Sequence, residues 1–195
     1  PMNTSQTTED EKSWFAMRAI FHREMAAMRL LEAEGVEHFI PMRRQTQTIR
    51  GRQVSRLVPA IRNLIFVHAR PETVRRIKAR AAYLQYIPDA ATGRMIVVPD
   101  DQMRRFIAVA GSCDDRLLWL RPEEVNWSRG MRVRVTGGPF CGQEGVLVKV
   151  KGARDRRVVV AVEGVVAIAM ATIRPDLIEP IEGSAGHPAR RPGSK

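Results

Sequence analysis

Proton transfer is the first chemistry to look for, since His22, His38 and His68 share the chain with Glu24, Asp89 and Asp100. No spacing sets a histidine beside a carboxylate in a motif, and no nucleophile signature accompanies them. His22 beside Arg23 and Glu24 reads as a surface residue. The chain therefore reads as non-enzymatic, because function has to be argued from a site and no catalytic site is written here. Cys113 and Cys141 lie 28 positions apart with no CxxC, which gives neither a zinc spacing nor a disulfide framework. Free thiols fit a reducing, cytoplasmic setting, and no cofactor or metal is expected.

Charge offers a second chemistry, the binding of phosphate. The formal net charge is +11. It is unevenly placed: residues 13 to 111 hold 17 Lys/Arg against 8 Asp/Glu, whereas residues 129 to 182 hold 9 against 6. Residues 38 to 71 contain seven arginines and no acid. Six of them, Arg43, Arg44, Arg50, Arg52, Arg56 and Arg62, sit in or beside one proposed hairpin, where guanidinium groups could meet nucleic-acid phosphates. A solvated basic loop is the plain alternative. No aromatic residue lies between Gln45 and Arg56, so base stacking is not supported there.

The third pattern is glycine-punctuated, from Val133 through Gly137, Gly138, Phe140, Gly142 and Gly145 to Val150. A glycine loop after a strand can cradle phosphate, but no Lys-Ser or Lys-Thr follows and no helical pattern begins at Gly145. Val133 and Val135 alternate with Arg134 and Thr136, and Val146, Val148 and Val150 repeat the period of two. This predicts two strands around a turn. Phe140 at the turn is read as packing in a barrel mouth, with a partner contact as the other reading.

The elements that must position these groups follow from periodicity. At 195 residues the chain suits one ordinary domain or two small ones. Residues 1 to 12 read as a disordered leader. Residues 13 to 111 read as one domain: a buried strand over 14–20, a helix carrying Phe21, Met25 and Met28 and ending at Gly35, strands over 36–44 and 57–69, a helix opening at Pro71, a strand over 83–87, and a helix from Asp100 with Met103, Phe106, Ile107 and Ala110 on one face. The two middle strands should pair as an extended hairpin with Gln45 to Arg56 between them. This β-α-β-β-α-β order with a following helix is the split-βαβ, ferredoxin-like arrangement, with helices on one face of an antiparallel sheet. Residues 112 to 128 read as a linker in which Leu117, Leu118, Trp119 and Leu120 are too apolar for a free tether. Residues 129 to 182 form an all-β domain of five strands, and 183 to 195 a disordered tail. The polar N-terminus and the lack of a run of about 18 apolar residues predict neither a signal peptide nor a membrane span.

The glycine-bearing stretch resembles the KOW motif of small SH3-like barrels. A split-βαβ domain followed by a KOW barrel resembles the NusG family of transcription elongation factors. In the first domain the resemblance rests on Trp14-Phe15-Ala16, Arg23-Glu24, and Pro59 through Phe66-Val67. Housekeeping members carry a Phe-Pro-Gly-Tyr type sequence where this chain has Ile61-Arg62-Asn63-Leu64, which argues for a specialised paralog. Residues 157–160 and 173–180 are similar to UpxY-type antiterminators of polysaccharide operons.

The resemblance implies an α+β domain that binds the clamp helices of the largest RNA polymerase subunit through an apolar patch, matched here by Phe15, Ile61, Leu64 and Phe66. It implies suppression of pausing or termination on a subset of operons, and contact of the basic hairpin with upstream or non-template DNA or nascent RNA. It also implies a KOW domain that recruits Rho or a ribosomal protein, and a monomer. By strand alternation Leu64 and Phe66 share one face and Ile65 and Val67 the other, so at most one set can form the patch. The competing expectation is a ribosome-associated or general RNA-binding KOW protein, which would not need the α+β domain. An RNA-recognition motif is not favoured, because its Arg/Lys-Gly-aromatic-Gly-aromatic strand is absent.

Overall fold

The apolar run Trp14-Phe15-Ala16-Met17 becomes the middle of a sheet because it can be buried on both sides. The computed structural model describes residues 11–171 and 173–181, so the expected tail over 183–195 and nearly all of the expected leader over 1–12 lie outside the described residues. Two compact units divide the chain, Pro1–Ile107 and Ala108–Lys195.

In the first unit, strand β1 (Ser13–Ala19) leads to helix α1 (Glu24–Ala33), strands β2 (Glu37–Phe39), β3 (Met42–Ile49), β4 (Arg52–Pro59) and β5 (Leu64–Ala69), helix α2 (Pro71–Arg80), strands β6 (Leu84–Tyr86) and β7 (Val97–Val98), and the greater part of helix α3 (Asp100–Ala110). The main sheet runs β2-β5-β1-β6 with β7 also on β1, and every pairing is antiparallel. Phe15 stands opposite Val67 and Met17 opposite Ile65. That face is covered by Ala27 and Leu31 of α1 and by Val74 and Ile77 of α2. Helix α1 closes with a Schellman motif, in which Val36 N–H donates to Leu31 O and Gly35 N–H to Glu32 O.

Four expectations are corrected here. The helices do not share one face, since Phe106 of α3 packs edge-on against Phe66, with ring centroids 5.6 Å apart, on the side opposite α1 and α2. Phe21 is not on the helix: it precedes α1 with φ of 60°. Each of the two long middle strands is broken in two. Pro41 cannot donate to a ladder, Asn63 has φ of 63°, and Ala60 N–H donates to Pro41 O at 2.8 Å where the chain leaves and rejoins the sheet. The segment Gln45 to Arg56 is therefore strand, not loop. It forms most of a separate two-stranded ribbon, β3–β4, with eight residue pairs in register from Met42↔Pro59 to Ile49↔Arg52.

The second unit is an antiparallel sheet ordered β13-β9-β10-β11-β12-β8. Its strands are β8 (Leu118–Leu120), β9 (Val125–Val135), β10 (Glu144–Val150), β11 (Arg157–Val162), β12 (Val166–Ala169) and β13 (Ile178–Pro180). Six strands replace the expected five because the apolar run at 118–120 pairs with β12, placing Trp119 opposite Ile168. β9 likewise begins inside the segment read as a linker. The glycine stretch is strand, turn, strand. Gly145 is needed for close approach: a Cβ there would lie 2.8 Å from both Val158 Cγ1 and the Val159 carbonyl oxygen.

Two substitutions test these contacts by chemical denaturation of the full chain. Phe106→Ala should cost about 3–5 kcal/mol by removing the ring that covers Phe66. Gly145→Ala should destabilise the second unit by about 1–3 kcal/mol, since backbone must give way to the added methyl.

Candidate functional site

The ribbon sorts its side chains by register. Paired residues share a face, so Arg43, Gln45, Gln47 and Ile49 lie with Val58, Arg56, Val54 and Arg52, while Arg44, Thr46 and Thr48 lie on the other face with Leu57, Ser55 and Gln53. At the tip, Arg50 and Gly51 both have positive φ, 50° and 78°. This is the backbone of a two-residue type I′ turn, whose twist matches that of the strands it joins. Arg62 lies in the loop leading from the ribbon to β5.

All six predicted arginines are exposed. None forms an ion pair among the described residues, and no acid between residues 38 and 71 could offer one. Several arginines elsewhere are held by carboxylates. Arg76 and Arg80 meet Glu34, Arg134 bridges Glu144 and Glu179 at 2.7 and 3.3 Å, and the Arg116 side-chain hydrogen bond holds the Asp114 carboxyl below its usual range. Glu124 is lowered chiefly by the Arg121 backbone N–H. The ribbon's positive charge is thus left unneutralised by the protein itself.

A second constellation lies where the segments 20–23 and 60–63 meet. Glu24, the one buried charged residue of the described core, accepts the Asn63 N–H at 2.5 Å. Asn63 Oδ1 accepts the His22 N–H at 3.1 Å, and the Asn63 carbonyl accepts the Ala19 N–H at 2.8 Å. Phe21, His22 and Asn63 all carry φ between 56° and 63°, a conformation that is costly for side chains of this size. The clamp holds Phe21 out in water at 78% exposure.

Sequence reasoning missed Phe21 because it fits a helical spacing with Met25 and Met28. The available signal was Asn63, a residue tolerant of left-handed backbone, directly before a buried strand.

Residues 12–107 match the family model NusG, described as transcription termination factor nusG. This first unit belongs to the NusG family. A solved structure entitled "Domain interaction in Thermotoga maritima NusG" is similar to this chain at 20% identity and a TM-score of 0.45, covering 88% of this chain and 98% of that one. No curated protein matches. The matched residues are just under half of the chain, and they place the first unit in a non-enzymatic family of transcription factors.

Within the NusG-family unit most of the expected apolar patch lies inside. Phe15 is 1% exposed, Leu64 3% and Phe66 0%. Phe15 faces α1 and α2, and Phe66 is covered by Phe106. Of the four, only Ile61 keeps a half-exposed side chain. The histidines are engaged locally: His38 Nδ1 donates to Val36 O at 2.9 Å, and His68 Nδ1 donates to Glu37 at 2.6 Å while its ring stacks on Trp14. No group of three or more His, Cys, Asp or Glu able to hold a metal occurs among the described residues. No described helix is long and apolar enough to cross a membrane.

In the second unit Phe140 is buried and lines a cavity of about 150 Å³ together with Val135, Pro139 and Leu177. A larger groove of about 490 Å³ runs past Met131, Leu147, Ile173 and Ile178.

The clamp is open to test by thermal denaturation. Asn63→Gly keeps the left-handed backbone accessible and should be far milder than Asn63→Val, which forces a β-branched residue to φ near 63°. Glu24→Ala should cost about 1–3 kcal/mol by leaving the Asn63 N–H without its acceptor.

Proposed function

We propose that this NusG-family chain is an elongation and antitermination factor that docks on RNA polymerase through its first unit and lays the β3–β4 ribbon against nucleic acid of the transcribing complex. The observation that carries this reading is the ribbon itself, in which every arginine is exposed and none is neutralised by a carboxylate among the described residues. Upstream or non-template DNA is the nucleic acid such a ribbon serves best in this setting, with nascent RNA as the other polyanion within the complex. Membership in the family supports the polymerase contact.

Since Phe15, Leu64 and Phe66 are inside, we assign the polymerase contact to the clamp of segments 20–23 and 60–63, where Phe21 and Ile61 offer apolar surface. Residues 61–64 in place of Phe-Pro-Gly-Tyr, and the similarity of residues 157–160 and 173–180 to UpxY-type sequences, support service on a subset of operons. The second unit, with the apolar groove beside Met131, recruits a further protein such as Rho or a ribosomal protein.

Titration of the full chain against RNA polymerase core, then against core assembled on a DNA–RNA scaffold, tests the proposal. Phe21→Asn, which suits the backbone at that position, and Ile61→Asp should each weaken binding to core at least tenfold. Changing Arg44, Arg50 and Arg62 together to Ala should leave core binding intact. On the scaffold it should lower the slope of log K against log[salt] by about 2 to 3. Saturable core binding untouched by Phe21→Asn and Ile61→Asp would remove the clamp assignment, and no binding to core or scaffold would remove the elongation-factor reading.

A further inference from the structure

The ribbon's two faces differ in a way that phosphate binding alone does not require. One carries Arg44, Thr46, Thr48, Gln53 and Ser55, with its apolar residues Met42, Leu57 and Pro59 gathered toward the base and only polar side chains toward the tip. The other carries Arg43 and Val58 at the base and, toward the tip, Arg52, Arg56, Gln45 and Gln47 interleaved with Ile49 and Val54, which stand 51% and 44% exposed. We propose that this second face enters the major groove of duplex DNA and reads a sequence there. The proposal deepens the nucleic-acid reading above and rests on it.

Dimensions select the groove. Strands about 4.8 Å apart, with their side chains, make a body that a groove about 12 Å wide admits, whereas a minor groove about 6 Å wide does not. The major groove of A-form RNA is too narrow and deep for the same body. Eight residues per strand at about 3.4 Å each give the ribbon a reach of about 27 Å. Its right-handed twist, set by the type I′ turn at Arg50-Gly51, suits a right-handed groove.

Chemistry selects the face. Arginine pairs bidentately with the O6 and N7 of guanine, glutamine with the N6 and N7 of adenine, and an apolar side chain meets the methyl of thymine. Arg52 and Arg56, Gln45 and Gln47, and Ile49 and Val54 supply all three kinds of contact on one surface. Arg44 on the other face, Arg50 at the tip and Arg62 at the base are then free to meet phosphates on the groove walls. Ile49 and Val54, the exposed apolar side chains of this face, acquire a partner there. The ribbon also buries little of itself against the sheet from which it departs. An eight-pair hairpin in water is a marginal structure.

The test is selection from a random pool of 20-base-pair duplexes with the full chain, followed by anisotropy titration of the enriched and the unselected duplex. An enriched sequence should emerge. Gln47→Ala and Arg56→Ala should each lower the ratio of enriched to unselected affinity roughly ten- to hundredfold, with unchanged melting temperature. The Arg44, Arg50, Arg62 triple change should weaken both duplexes alike. Salt-dependent binding to every duplex with no enriched sequence would overturn groove reading while leaving phosphate contact intact. Equal or tighter binding to duplex RNA or to the single strands of the enriched sequence would also overturn it. No binding to any nucleic acid, with polymerase core still bound, would remove the ribbon's nucleic-acid role altogether.

Discussion

The antiparallel pairing of β1 with β5 is the constraint on which the first unit depends. Its register, with Phe15 opposite Val67 and Ala16 opposite Phe66, assigns alternate residues of both strands to opposite faces. One set meets α1 and α2 and the other meets α3, so both faces are dry. A shift by one residue would exchange the two sets. The same ladder ends at Arg18↔Leu64, and beyond that end the chain must turn on both strands within a few residues. The left-handed residues Phe21, His22 and Asn63 are the result, and Glu24 holds them.

This arrangement separates the two functional surfaces of the unit by physical kind. The clamp is rigid, built from backbone hydrogen bonds to one side chain and one buried carboxylate, and it presents apolar surface. The ribbon is its own sheet, hydrogen-bonded to neither neighbour, and it presents charge. Rigidity serves a protein contact, in which shape must match. A ribbon anchored only at its base suits a polyanion, where long-range attraction tolerates some movement. Several arginines elsewhere are tied to carboxylates and contribute little to any such attraction, whereas the ribbon's are not.

The second unit follows a different rule. Its glycines bring strands closer than a methyl group would permit, at Gly145 against Val158 and Val159, and the sheet gains its sixth strand from residues whose composition already excluded a free tether. Phe140, at the glycine turn, fills a cavity wall rather than pointing outward.

Much of this was legible in the residues themselves. Helical spacings, apolar runs and period-two alternation located α1, α2, α3 and most strands of the main sheet and of the second unit, though not β7 or β8, because burial imposes those patterns locally. The run of arginines without acids located the ribbon's charge, and the glycine spacing located the KOW-like turn. Three things were decided only by tertiary structure. Whether Leu64 and Phe66 face solvent or core depends on where α3, some forty residues later, comes to lie, and strand alternation cannot say which face a distant helix covers. That Gln45 to Arg56 is strand depends on pairing across a turn, since a polar segment with no buried face has no periodic signature. That Phe21 stands in water depends on Glu24 reaching Asn63, a contact 39 residues apart in the chain. Local pattern determines which side chains seek burial, but only the packed fold decides which of them find it.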